Sequence, residues 1–133
     1  MVQQQETSGR AEKKAIRRPG EAPRTGKRNL SGIIQYGELL FISGIGAHEG
    51  GNIRVQTKRV MDDIRTALEL AGSDCNKMLK ATVFLTHIRD YEGMNEVYRE
   101  YFAADPPARS CVVVSCLPGR GDELVEIECI AYV

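Results

Sequence analysis

Apolar residues recur at three- and four-residue steps in two stretches of this chain, and this confines its helices to those stretches. In the first, about residues 55–71, Val60, Met61, Ile64, Leu68 and Ala71 form one stripe of an amphipathic helix, and Gly72 stands where such a helix stops. In the second, about residues 90–102, Met94, Val97, Tyr98, Tyr101 and Phe102 repeat at the same steps until Pro106-Pro107 forbids continuation. The other apolar runs are short and rich in β-branched and aromatic residues, as strands are: 33–36, 39–43, 80–85, 108–117 and 124–132, with a further short strand around 14–17. Gly37-Glu38 has the length and chemistry of a tight hairpin, the glycines at 44, 46, 50 and 51 mark a loop, and Pro118-Gly119-Arg120-Gly121-Asp122 is a turn-rich connector. The order β-β-β-α-β-α-β-β predicts an α+β fold in which two helices pack against one face of a single sheet.

At 133 residues the chain suits one domain. Its net charge of zero hides an asymmetry: eight of the eighteen basic residues but three of the eighteen acidic ones lie in residues 1–28, leaving ten basic and fifteen acidic in 29–133. We therefore expect a basic tail over 1–28, with residues 1–12 disordered, and a folded acidic body over 29–133. An acidic body is a poor platform for phosphates, so a nucleic-acid partner is not expected. No apolar run approaches the ~18 residues of a membrane span. Cys75, Cys111, Cys116 and Cys129 form no C-x-x-C pair, which points to free thiols in a reducing compartment. The cytoplasm is the expected location. The alternative, a mitochondrial presequence, is weakened by Glu6, Glu12 and Glu21. His48 and His87, the two histidines, lie far apart with no cysteine or carboxylate at ligand spacing, so no metal site is expected.

Strand alternation sorts the last two strands by face. Val125, Ile127 and Cys129 form an apolar face with Glu126 and Glu128 opposite; Arg109, Cys111 and Val113 alternate with Ser110, Val112 and Val114. If the apolar faces meet the helices, Arg109, Glu126 and Glu128 share the far face. Two explanations fit charges at mid-strand there. The face is in water, with Arg109 paired across strands to a glutamate, or it is covered by another subunit and the charges line a cleft.

The segments L-L-F-I-S-G (39–44), A-T-V-F-L-T (81–86), D-Y-E-G-M-N-E-V-Y-R-E-Y-F (90–102), P-A-R-S-C-V (107–112) and V-E-I-E-C-I-A (125–131) resemble, in this order and spacing, the Rid/YjgF family, also known as endoribonuclease L-PSP or translation inhibitor. The resemblance spans most of 39–133. It implies a chorismate-mutase-like fold, a homotrimer whose sheets form a central barrel, and clefts between neighbouring subunits. It also implies a cofactor-free deaminase of the 2-iminobutanoate/2-iminopropanoate type, which hydrolyses 2-imino acids and their enamine forms to 2-oxo acids and ammonia. By the same resemblance Arg109 holds the substrate carboxylate through its planar fork, Glu126 positions the attacking water, and Ser43, Gly44, Asn95 and the backbone at Cys111 bind substrate.

Two positions depart from the family pattern. Leu30 stands where a tyrosine commonly touches the substrate, and Ile45 where a glutamine follows the Ser-Gly pair. A leucine donates no phenolic hydrogen bond, so the substrate's side chain is expected to meet a more apolar wall. Two rival functions remain: an endoribonuclease, which the acidic body and the lack of a histidine pair disfavour, and a non-catalytic sensor of small carboxylates.

Overall fold

The computed structural model describes residues 9–20 and 26–133. Six strands make one mixed sheet: β1 (Lys13–Ala15), β2 (Ile33–Tyr36), β3 (Leu39–Gly46), β4 (Met78–Leu85), β5 (Ala108–Val113) and β6 (Val125–Tyr132), in the order β1-β2-β3-β6-β4-β5. All neighbours are antiparallel except β4 and β5, which run parallel because a helical crossover joins them. Two helices, α1 (Ile53–Leu70) and α2 (Tyr91–Tyr98), pack on one face. This is the predicted α+β arrangement in the predicted element order.

Local chemistry sets the helix limits. The Asn52 side chain accepts the Val55 N–H at 3.0 Å and starts α1. Gly72, at φ +83°, ends it, its N–H meeting the Glu69 carbonyl while the Ser73 N–H meets that of Leu68. The expected stripe of Val60, Met61, Ile64 and Leu68 is wholly buried. It packs on Leu40, Val83, Ile127 and Ala131, from the strands that alternate toward it. Gly37 takes the positive φ that the two-residue β2–β3 turn requires.

Several boundaries differ from the sequence expectation. The N-terminal strand is Lys13–Ala15 rather than 14–17. It pairs with β2, and Ile16 packs against the core, so chain within the expected tail takes part in the sheet. Of the segment expected to be disordered, residues 1–8 lie outside the described residues. The second helix gives way after Tyr98 to a tighter turn over Arg99–Tyr101. The strand expected over 108–117 stops at Val113 because its partner β4 stops at Leu85; one bond, from the Val114 N–H to the Leu85 carbonyl, follows. Gly44 and Gly46, expected in a loop, belong to β3.

Candidate active site

Arg109 is the second residue of β5, the strand at one edge of the sheet, and its register decides where the guanidinium goes. It pairs with Ala81, and Cys111 pairs with Val83, both buried against the helices. Arg109 and Cys111 therefore point to the helix side. On β6 the residue opposite Phe84 is Glu126 and that opposite Thr82 is Glu128, both on the open side. The expectation that Arg109, Glu126 and Glu128 share a face is thus corrected: Arg109 lies on the other face, with Cys111 and Val113. Alternation misled at β5 because hydrophobicity does not mark the covered side of this edge strand, which the helix side reaches only at Arg109 and Cys111. Val112 and Val113, which point opposite ways, are 44% and 47% exposed. Burial does alternate from Ala108 to Cys111, but its half-buried members are Arg109 and Cys111, not the most apolar residues of the strand.

Around Arg109 the helix supplies walls. Its guanidinium lies 4.8 Å from the ring centre of Tyr98 and 5.8 Å from that of Tyr91, and Nη2 donates to the Tyr91 hydroxyl at 3.4 Å. Such stacking holds the charged fork half-buried without neutralising it. Among the described residues no carboxylate lies within 4 Å of it. Tyr98 is pushed up to about 12 by burial, which the Arg109 charge only partly offsets, so its phenol stays neutral. Asn95, one turn back on α2, lines a hollow of about 210 Å³ together with Tyr98 and Arg109. Burial holds the Cys111 thiol above its ordinary range, against the pull of Arg109, so it is a poor nucleophile.

The other half forms on the open face. Ser43 and Gly44 together oppose the single residue Glu128, a bulge in the β3–β6 ladder. The Ser43 N–H donates to the Gly32 carbonyl at 2.9 Å and its hydroxyl to the Ser31 carbonyl at 2.6 Å, which pins the bulge to the chain entering β2. The Glu126 side chain lies over Gly44 so closely that a Cβ there would collide with its carboxylate. Burial raises the Glu126 pKa, and the like charges of Glu128 and Glu123 raise it further. A carboxylate so placed is a stronger base than a free one. A separate open hollow of about 290 Å³ lies over Ser43, Thr82 and Glu128. Leu30, in place of the family's tyrosine, is 65% exposed beside this half.

The structure thus brings Arg109, Asn95 and Cys111 to one side, and Ser43, Gly44 and Glu126 to the other. It also adds residues that sequence reasoning missed. Tyr91, Tyr98 and Met94 surround the Arg109 guanidinium, although the helical spacing marks Met94 and Tyr98 only as an apolar face. Gln56 is fully buried, its amide donating to the carbonyls of Gly51 and Asp122 and accepting from the Leu124 N–H, two residues before Glu126. A signal existed: Gln56 stands four residues before Val60 and eight before Ile64, on the buried stripe.

The sequence profile of the family described as Endoribonuclease L-PSP matches residues 21–133. A RutC family protein of Pyrococcus abyssi is 43% identical over 109 residues, 77% of this chain and 84% of that one. The chloroplastic Reactive Intermediate Deaminase A of Arabidopsis thaliana is 33% identical over 108 residues, 76% of this chain and 57% of that one. A solved structure of a protein of unknown function of the conserved Rid family, from Yersinia pestis, superposes with a TM-score of 0.81 at 33% identity, covering 92% of this chain and all of that one.

Proposed function

Because the chain belongs to the Rid/YjgF family, matched as Endoribonuclease L-PSP, we propose that it hydrolyses reactive 2-imino acids, in equilibrium with their enamines, to 2-oxo acids and ammonia. The observation that carries this is the Arg109 fork: half-buried, stacked on two tyrosines and without a carboxylate partner among the described residues, it is ready to take one from a ligand. Glu126, with its raised pKa, takes a proton from water as the oxygen attacks the imine carbon. Glu126 returns that proton to the nitrogen; the hydroxyl so formed then becomes the carbonyl of the 2-oxo acid, its proton passing to the nitrogen as the C–N bond breaks and ammonia leaves. No cofactor is required, because the imine carbon is already electrophilic.

Arg109 and Glu126 serve one substrate only if they come from different copies of the chain. We place the site in a cleft where the edge of one protomer, with Arg109 and Asn95, meets the open face of the next, with Ser43, Gly44 and Glu126. The open face supports this. Its cross-strand rows carry Ile34, Phe41 and Ile130, and then Phe84 and Val112, an apolar surface that a cyclic homotrimer covers symmetrically. The free cysteines accord with a reducing compartment such as the cytoplasm. No described helix is long and apolar enough to cross a membrane. Ammonia release from a panel of imino acids generated in situ from their amino acids tests the activity. Rates no faster than the spontaneous hydrolysis, with every imino acid, would reject it.

A further inference from the structure

The hollow beside Arg109 has a second arginine in its lining, for which a simple 2-imino acid has no use. Arg99 lies one residue beyond α2, and its side chain lines the same hollow. Its Nε donates to the Asn95 carbonyl at 3.1 Å, which folds the stem back along the last turn and leaves both Nη amines to bind elsewhere. Arg54, Arg59, Arg65 and Arg120 each hold a carboxylate of this chain. Arg99 and Arg109 hold none among the described residues.

A cation at a helix C-terminus also answers the helix dipole. That role needs only a charge near the last carbonyls, and the Nε bond provides it. It leaves unexplained why Arg99 is in the lining of the same hollow as Arg109. The two sites differ in depth, since Arg109 is half-buried and Arg99 exposed. Across from them Pro106 and Pro107 form a wall with fixed φ and no N–H to offer an anion. At about 210 Å³ the hollow is below the ~300–1,000 Å³ of sites for drug-sized ligands, so it suits a short metabolite. A monocarboxylate neutralises one of the two forks. A dicarboxylate neutralises both, each through two parallel charge-assisted bonds.

We infer that this site selects short 2-imino dicarboxylates, of the kind derived from aspartate or glutamate, with Arg109 holding the carboxylate next to the imine and Arg99 the distal one. The inference rests on the deaminase assignment for Arg109 and adds Arg99 as the residue that determines specificity. Because Arg99 is exposed and outside the core, Arg99→Gln leaves the fold intact.

Titration calorimetry with sodium succinate and sodium butyrate, on the parent protein and on Arg99→Gln and Arg109→Gln, tests it without turnover. The expected result is a preference for succinate of roughly tenfold or more. Arg99→Gln abolishes that preference and leaves butyrate unchanged, while Arg109→Gln weakens both. Equal affinity of the parent for the two acids, or a succinate preference that survives Arg99→Gln, overturns the role of Arg99 while Arg109 keeps its assignment. Butyrate binding that is absent, or unaffected by Arg109→Gln, overturns the carboxylate site itself and this inference with it. In the ammonia assay, the imine derived from aspartate should likewise lose its advantage over that derived from alanine when Arg99 is replaced.

Discussion

Arg109 and Glu126 stand on opposite faces of one sheet, with β4 between their strands. Their backbone positions are two strands and three residues apart, roughly 10 Å across and roughly 10 Å along. Each side is nevertheless finished locally. The arginine is seated on tyrosines that α2 supplies, and the glutamate is seated on a bulge whose glycine leaves room for it. Under the proposed function these would be two half-sites, and a cleft between identical subunits would bring them together.

The two halves should fail differently when altered. Arg109→Lys keeps the charge but loses the fork, so carboxylate binding should weaken and activity fall by roughly tenfold to several hundredfold. Glu126→Gln keeps the shape and removes the base, so carboxylate binding should persist while turnover falls by about 10² to 10⁴. Calorimetry with a carboxylate and steady-state ammonia release distinguish the two. Equal turnover of Glu126→Gln and the parent would transfer the base role to another group.

The parts of the fold legible in the sequence were those where burial has a period. The stripe from Val60 to Leu68 and the alternation of Val125, Ile127 and Cys129 each meet the core as their spacing implies. At β5 burial alternates only as far as Cys111, and the more apolar Val112 and Val113 both stand exposed, so hydrophobicity there does not mark the helix side and places Arg109 on the wrong one. The bulge at Ser43-Gly44 was also illegible, since two glycines two residues apart read as a loop until a partner strand shows why one must lack a side chain. The resemblance picked out Arg109 and Glu126 as residues but said nothing of the sheet between them.

Gly44→Ala should act on turnover more than on folding. The added methyl meets the Glu126 carboxylate, the far end of a flexible side chain that can swing away at modest cost. Gly44 is exposed at an ordinary φ, so the backbone tolerates alanine. We expect the melting temperature to change by no more than a few degrees and kcat to fall by roughly tenfold or more, as misplacement of a catalytic group does. A variant with parental kcat would show that the position of Glu126 over Gly44 is immaterial.

The pH profile should reveal the environment of Glu126. As a base it works only when ionised, so the rate is lost as the pH falls through its pKa. That pKa is raised by burial first and by Glu128 and Glu123 next. The acid limb should therefore lie above the ordinary carboxylate range. Glu128→Gln removes one repelling charge, lowers the Glu126 pKa and should shift the acid limb of kcat/KM to lower pH. A shift to higher pH, or none, would exclude this coupling.

Gln56→Leu should be costly to the fold. The change leaves the part-buried carbonyls of Gly51 and Asp122 and the part-buried N–H of Leu124 without their partner, around a side chain that is itself fully buried. A loss of about 2–4 kcal/mol is expected, read from the urea midpoint at unchanged slope. Destabilisation below about 0.5 kcal/mol would mean that the loops find other partners. Gln56→Glu keeps the acceptor for Leu124 but sets a carboxylate against two carbonyls, so it should be no better than leucine.

If the cleft forms between copies, two impaired variants should rescue each other. A site built from Arg109 of one copy and Glu126 of the next is intact wherever a Glu126→Gln chain supplies the arginine and an Arg109→Lys chain supplies the glutamate. Random mixing of equal amounts gives such a pairing at roughly a quarter of the sites in a cyclic assembly. The two variants should therefore be unfolded together and refolded as a mixture, with each refolded alone as the control. Sedimentation should first establish that the parent and both variants form the same trimer, since a monomer at micromolar concentration would remove the cleft. Recovery of roughly a quarter of parental activity in the mixture, against the roughly one tenth or less left in each variant alone, is the expected outcome. Activity in the mixture equal to the mean of the separate variants would show that both residues act within one chain. It would also require β5 or β6 to move from the faces on which the register now places Arg109 and Glu126.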